Sequence, residues 1–162
     1  TATTEIYTLS LHDALPILNI RHTGIYVEDI AKQAEFYKKC FFMTIICENY
    51  QDSGPLFDDL LGYKEAKVLI TKLITEMGKK NGTGDMLELI YVFPNEDKQR
   101  KCKRKICDVG MSHVAFGVSD IETTVQRIQN YGGKKITDIY TIGNKKCCFC
   151  EDPEGNGIEL IQ

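Results

Sequence analysis

The chain lacks several features that would place it in other protein classes. Its 20 lysines and arginines are outnumbered by 23 aspartates and glutamates, so the net charge is −3. A general nucleic-acid binder is normally basic. The longest apolar stretch, around residues 41–47, is far too short for a membrane span. We therefore expect no nucleic-acid partner and no contact with a membrane.

The composition is otherwise that of a packed globular protein. The 162 residues are 43% hydrophobic and 27% charged, which suits one domain with its own core. The seven cysteines are an odd number, in a chain large enough to fold without disulfides. Reduced thiols and a cytoplasmic location are the simplest interpretation.

The first seventeen residues differ from the rest. They contain no lysine or arginine, show no clear strand or helix period, and end beside Pro16. We expect residues 1–17 to be a non-native or disordered leader, similar to a translated sequencing artefact, and exclude them from the fold. The remaining sequence then contains two histidines, His22 and His113.

The rest of the chain contains an internal repeat. The segments HTGIYVEDI (22–30) and HVAFGVSDI (113–121) share the pattern His-x-small-apolar-x-Val-x-Asp-Ile. Each begins with the alternation of a strand and reaches an aspartate, Asp29 or Asp120, that suits a helix N-cap. An amphipathic helix follows in both copies. The sequence therefore predicts one structural unit used twice.

Each copy also predicts three further strands. The two modules span residues 18–93 and 110–162, and the polar segment 94–109 links them. The predicted helices are 30–42 and 121–131; the predicted strands are 19–27, 44–50, 67–75 and 86–93, then 110–118, 134–141, 146–151 and 157–162. An insertion in the first copy holds a short helix near 54–62. The pattern predicts an α+β fold in which each sheet has one face under its helix and the other open.

Four polar side chains fall on the open faces. Strand alternation places His22 and His113 opposite the apolar residues that pack under the helices. The short strands MLELI and GIELI each carry a glutamate between two packing residues, and these are Glu88 and Glu159. Two imidazoles and two carboxylates form a ligand set for one divalent ion such as Ni, Zn, Fe, Mn or Co. Equivalent positions in both copies strengthen this hypothesis.

The chain resembles the vicinal oxygen chelate superfamily, also called the glyoxalase, bleomycin-resistance and dioxygenase fold. The motifs that carry the resemblance are HTGIYVEDIAKQAEFYKKCF, MLELI, SHVAFGVSDIETTVQRIQNYGG and EDPEGNGIELIQ. The resemblance implies two βαβββ modules that form a cup-shaped mixed sheet with the helices outside. It implies one metal held by His22, Glu88, His113 and Glu159, the set of bacterial-type glyoxalase I. It also implies a homodimer, with the site either within one chain or across the dimer.

The resemblance further implies a lyase or isomerase acting on a small α-oxygenated carbonyl compound. A divalent ion chelates two neighbouring oxygens and stabilises an enediolate as a proton leaves the adjacent carbon. By similarity to glyoxalase I, Glu159 is the expected catalytic base and Glu88 the alternative.

Two positions depart from glyoxalase I. Tyr26 stands where that family has a glutathione-binding arginine, and Val92 stands where it has an asparagine. The face beside Glu88 is also apolar, with Met86, Ile90 and Val92, and both departures favour a substrate other than the glutathione hemithioacetal. We expect Tyr26, Met86 and Val92 to contact the substrate. Glu48, on the predicted strand that follows the first helix, is a further candidate for a substrate contact.

Three alternatives stay open. One is an acyl-CoA epimerase, for which the basic run at 98–105 would bind the phosphates. Another is a metal-free, ligand-sequestering protein of the bleomycin-resistance type. A ring-cleaving dioxygenase ranks last, because Glu88 fills a position that those enzymes leave free. The cysteines of the segment 147–150 match no common zinc spacing and favour an ordinary strand.

Overall fold

A computed structural model describes residues 19–94 and 106–162 of the chain. The predicted leader at 1–17, the basic run at 98–105 and most of the linker lie outside the described residues. The first half contains β1 (His22–Tyr26), α1 (Ile30–Phe41), β2 (Thr44–Ser53), α2 (Pro55–Leu61), β3 (Lys67–Ile74), α3 (Glu76–Asn81) and β4 (Met86–Val92). The second half contains β5 (His113–Gly117), α4 (Ile121–Asn130), β6 (Lys134–Lys135), β7 (Tyr140–Ile142), β8 (Lys145–Glu151) and β9 (Gly157–Ile161).

The strands form two mixed sheets, one from each half. The first sheet has the order β1-β4-β3-β2, with β1 and β4 parallel and the other pairs antiparallel. The second has the order β5-β9-β8-β6, and β7 also pairs with β8. In it β5 and β9 are parallel. The predicted α+β class is confirmed. In the described part of the chain, no helix is long and apolar enough to span a membrane.

Two local features differ from the sequence prediction. The strand predicted at 134–141 is split into β6 and β7, because the backbone N–H groups of Ile136 and Thr137 both donate to the carbonyl of Phe149, at 2.8 and 3.2 Å. Two donors on one acceptor interrupt the ladder, as in a bulge. The helix α3 was not predicted; the hydroxyl of Thr75 caps it by accepting from the N–H of Gly78 at 3.0 Å.

The two long helices begin as the repeat predicts. Asp29 caps α1 by accepting from the N–H of Lys32 at 3.0 Å, and Asp120 caps α4 by accepting from the N–H of Thr123 at 2.8 Å. After α1, Phe42 adopts a left-handed conformation with φ of 53°, which favours glycine. Its ring lies 4.6 Å from the guanidinium of Arg127, and this cation–π contact offsets part of the backbone cost.

Both halves share one hydrophobic core. Side chains from both long helices and from the helix-facing sides of both sheets belong to a single buried cluster, which includes Phe36, Tyr37, Leu87, Leu89, Ile121, Ile128, Ile158 and Leu160. The rings of Phe41 on α1 and Phe116 on β5 stack with centroids 4.1 Å apart. The helix-covered sides of the two sheets therefore face one core, and their open sides are turned away from it.

A buried carboxylate joins the halves through the turn DPEGNG at 152–157. Asp152 is only 2% exposed. Its Oδ2 accepts from the hydroxyl of Tyr37 on α1 at 3.0 Å and from the amide of Asn156 at 2.8 Å. Its Oδ1 accepts from the backbone N–H groups of Glu154 and Asn156, both at 2.9 Å. Burial and the charge of Asp152 raise the pKa of Tyr37 well above its usual range.

The same turn holds the start of α1. The carboxylate of Glu154 accepts from the backbone N–H groups of Glu28 and Asp29, each at 2.8 Å. These contacts lie directly before α1, so the turn of the second half fixes the helix of the first half. The relative placement of the two sheets therefore depends on polar contacts as well as on the shared core.

Asp152→Ala is expected to lower the free energy of unfolding by about 3 kcal/mol or more, because it removes a buried charged acceptor and orphans its donors. Tyr37→Phe removes one of these bonds and is expected to cost about 1–2 kcal/mol. Asp138→Ala is the control, since that side chain is 77% exposed. Urea denaturation measures all three, and a loss below about 1 kcal/mol for Asp152→Ala would contradict the assignment.

Candidate metal centre

The first predicted ligand pair forms on the open face of the first sheet. His22 begins β1, and Glu88 lies on the adjacent parallel strand β4, where its register partner is Gly24. The His22 Nε2 atom is 3.3 Å from the Glu88 Oε2 atom. The side chains are 39% and 12% exposed, respectively. Alternation thus places both groups on one accessible face, as predicted.

The second pair repeats this geometry on the second sheet. His113 begins β5, and Glu159 lies on the parallel strand β9 with Ala115 as its register partner. The His113 Nε2 atom is 3.2 Å from the Glu159 Oε2 atom, and the side chains are 30% and 21% exposed. The offset between histidine and glutamate is the same in both sheets, so the sequence repeat generates the same pair twice.

The spacing within each pair fits two ligands of one divalent ion. Imidazole nitrogens and carboxylate oxygens lie about 2.0–2.2 Å from such an ion, so two ligands at 90–110° are about 3.0–3.4 Å apart. The observed 3.3 and 3.2 Å fall within this interval. Nitrogen and oxygen donors also suit the predicted ions, which bind imidazole and carboxylate together.

The two pairs do not meet within one chain. Among residues 19–94 and 106–162, no group of three or more His, Cys, Asp or Glu side chains is close enough to share a metal. The shared core accounts for this, because it lies on the side of each sheet opposite its pair. The four ligands predicted from the sequence therefore form two half-sites of two ligands each.

The first half-site contains a lysine that the sequence prediction missed. Lys72 lies directly opposite Glu88 in the register of β3 and β4. Its Nζ atom is 2.8 Å from the Glu88 Oε1 atom, so the two carboxylate oxygens face different partners. The sequence signal for Lys72 was a single charged residue in the otherwise uncharged strand VLITKLI. Alternation places Lys72 on the same face as Ile70, and the register with β4 places it opposite Glu88.

The second half-site has different neighbours. The hydroxyl of Ser112 is 2.7 Å from His113 Nδ1. A proton on Nδ1 donated to this hydroxyl leaves the Nε2 lone pair beside Glu159, the arrangement usual for a metal-binding histidine. The ring of Phe149 meets the imidazole edge to face at 5.2 Å and lies opposite Glu159 in the register of β8 and β9. Neither Ser112 nor Phe149 was predicted from the sequence to lie at the site.

A cavity of about 270 Å³ opens beside the second pair. Its lining residues are Ile106, Cys107, Ser112, His113, Ile136, Thr137 and Phe149. The imidazole of His113 therefore borders both Glu159 and a mostly apolar space. Such a cavity suits a small molecule held by a few polar groups.

Three of the predicted substrate contacts lie on the face of the first pair. Met86 is the register partner of His22, and Tyr26, 45% exposed, is the register partner of Ile90. Val92 is half-buried at the end of β4. Alternation along β1 and β4 puts all three on the same side as Glu88.

Glu48 lies elsewhere. It is exposed on β2, where the register shifts between Cys47 and Tyr50. The pKa of Lys38 on α1 is raised by its hydrogen bond and charge interaction with Glu35, and further by the charge of Glu48. Glu48 is thus near α1, and no contact brings it together with Glu88.

Comparisons with known proteins identify the family of the chain. The sequence profile of the Glyoxalase/Bleomycin resistance protein/Dioxygenase superfamily matches residues 19–160. A probable lactoylglutathione lyase of Synechocystis sp. is 29% identical over 144 residues, which cover 87% of this chain and 92% of the relative.

Solved structures share the fold. A glyoxalase family protein from Bacillus cereus is 19% identical, with a TM-score of 0.77 over 90% of this chain and 94% of that one. A fosfomycin resistance protein from Listeria monocytogenes, solved with Mn(II) and a sulfate ion, is 14% identical, with a TM-score of 0.56 over 90% and 93%. The family resemblance is confirmed: the chain belongs to the glyoxalase/bleomycin resistance protein/dioxygenase superfamily.

Proposed function

We propose that this protein is a divalent-metal-dependent, glyoxalase-like lyase or isomerase whose metal centre is completed by a second copy of the chain. The observation that carries the proposal is the pair of equivalent His–Glu half-sites, each with ligand spacing. The curated relative from Synechocystis sp. is named a probable lactoylglutathione lyase, which supports this reaction class.

The need for a second chain follows from the packing. Each half-site supplies two ligands, and its sheet turns it away from the shared core. A two-fold symmetric dimer can place the open face of the first sheet against the partner's second sheet, and symmetry then creates two identical centres. Each centre would contain His22 and Glu88 from one chain and His113 and Glu159 from the other.

The chemistry requires a carbonyl substrate with a neighbouring oxygen. A bound divalent ion supplies Lewis-acid polarisation of the carbonyl. Glu159 then removes a proton from the adjacent carbon and returns it to the neighbouring position. The mostly apolar cavity beside His113 would hold the substrate next to Glu159.

The neighbours of the two glutamates support Glu159 as the base. The oxygens of Glu88 are engaged by His22 and by Lys72, at 3.3 and 2.8 Å. A carboxylate held from both sides suits a permanent ligand. Glu159 lies beside His113 and is more exposed, 21% against 12% for Glu88. It is therefore better placed to accept a proton.

The substrate is proposed to be smaller and less polar than a glutathione adduct. Tyr26, Met86 and Val92 line the face of Glu88 with apolar surface, and we assign them substrate contacts. Glu48 receives no role beside Glu88, since it lies near Lys38.

Metal binding is the first test. After removal of bound ions and dialysis against Mn, Fe, Co, Ni or Zn, the wild-type protein is expected to retain about one ion per chain. His22→Ala and His113→Ala should each abolish retention, whereas Asp138→Ala should not. Elemental analysis measures the ratio. A wild-type protein that takes up no ion would favour the metal-free binding protein instead.

Mixing two variant chains tests whether each metal centre takes its ligands from two chains. One chain carries His22→Ala with Glu88→Gln, and a differently tagged chain carries His113→Ala with Glu159→Gln. Each variant alone should bind no metal, because both of its centres lose ligands. The mixed dimer keeps one complete centre of two, so it should recover about half of the wild-type metal. If the mixed dimer binds none while the wild type does, the centre lies within one chain.

Proton exchange tests the reaction. Metal-loaded protein in deuterated water is expected to exchange the hydrogen next to the carbonyl in members of a panel of α-hydroxyketones and hemithioacetals, detected by NMR. Glu159→Gln should slow exchange by about 10²–10⁴-fold, with the retained metal measured in parallel. Oxygen uptake with a catechol would instead indicate a dioxygenase. Rapid turnover of the glutathione hemithioacetal would contradict the assignment of Tyr26 and Val92.

A further inference from the structure

Lys72 is the one charged residue of its own strand that shares a face with the pair His22 and Glu88. On its own strand and face, Ile70 and Ile74 are 6% and 8% exposed. Its side chain is 37% exposed. Among the face-sharing residues of the described strands β1 to β4, Lys72 is the only lysine or arginine. Its Nζ atom, 2.8 Å from Glu88, lies directly beside the first half-site.

The charges of the completed centre leave Lys72 without a full counterion. Two neutral histidines, two carboxylates and one divalent ion together carry no net charge. In the free chain Glu88 neutralises Lys72, but a divalent ion shared by Glu88 takes over that charge. The ammonium of Lys72 then gives the centre a net charge of +1, which attracts an anionic group of the substrate.

We propose that Lys72 binds a carboxylate of the substrate, next to the oxygens that chelate the metal. This inference rests on the proposed function. An ammonium has three N–H donors, and Glu88 accepts one of them, so two remain for a second acceptor. One carboxylate matches the excess charge of +1, whereas a phosphate monoester carries nearly two negative charges at neutral pH. The substrate class is therefore an α-oxygenated carbonyl compound with an additional carboxylate.

Two small acids separate this contact from metal chelation. Glycolate and tartronate both offer a hydroxyl and a carboxylate on neighbouring carbons, and tartronate adds one further carboxylate. Calorimetric titration of the metal-loaded protein gives the ratio of their dissociation constants. In the wild type tartronate should bind more tightly, and Lys72→Met should reduce its advantage by about tenfold or more, the usual effect of a charge-assisted hydrogen bond. Glycolate binding should change little.

The controls isolate the charge and its position. Lys72→Arg should recover much of the tartronate advantage. Lys38→Met should keep all of it, because Lys38 forms an ion pair of the same 2.8 Å length with Glu35 on the surface of α1. The metal content of every variant is measured before titration.

The remaining outcomes overturn the inference in distinguishable ways. An unchanged ratio in Lys72→Met, with normal glycolate binding, shows that Lys72 does not bind the second carboxylate and leaves the proposed function intact. Equal weakening of both acids shows that Lys72 acts only through Glu88. A wild-type protein that binds no metal, or binds metal but neither acid, removes the proposed function and this inference together.

Discussion

The two-sidedness of a β-sheet is the constraint on which the rest of the structure depends. One side of each sheet packs under its helix, and the helices bring these sides into one core in which Phe41 stacks on Phe116. Every second residue along the same strands points to the open face, where the His–Glu pairs lie. Because the core lies between the helix-covered sides, the two His–Glu pairs are turned outward, and the proposed four-ligand centre would need a second molecule. The packing that stabilises the fold thus also decides how the centre must be assembled.

The duplication makes two pairs of the same geometry but not of the same chemistry. Both histidine–glutamate distances agree to within 0.1 Å. Around them, however, the first sheet supplies the ammonium of Lys72, and the second supplies the hydroxyl of Ser112 and the ring of Phe149. The carboxylate of Glu88 is held by a cation, whereas that of Glu159 lies beside His113, whose ring borders an apolar cavity. Different residues around an identical pair provide a physical basis for the proposal that both glutamates bind the metal and that Glu159 alone also serves as the base.

The sequence predicted the features that depend on local pattern. Alternation placed His22 and Glu88 on one face, and the repeat extended this to His113 and Glu159. The cap positions Asp29 and Asp120 followed from side-chain chemistry next to a helical period. The split of the predicted strand 134–141 was missed, because it depends on the carbonyl of Phe149 in another strand. Lys72 was missed because its significance comes from its cross-strand register with Glu88, and the outward direction of the half-sites was missed because it depends on packing between the halves.

The buried carboxylate of Asp152 connects stability to the site. Its bonds to Tyr37 and the hold of Glu154 on the start of α1 fix the turn immediately before β9 against the first half. That strand carries Glu159, and its parallel partner carries His113. The polar contacts of this turn therefore contribute, together with the shared core, to the angle between the two outward faces. The proposed dimer would have to match that angle to bring two pairs within about 2 Å of one ion, so a change at this turn is expected to impair assembly of the proposed centre without altering any of the four His and Glu residues.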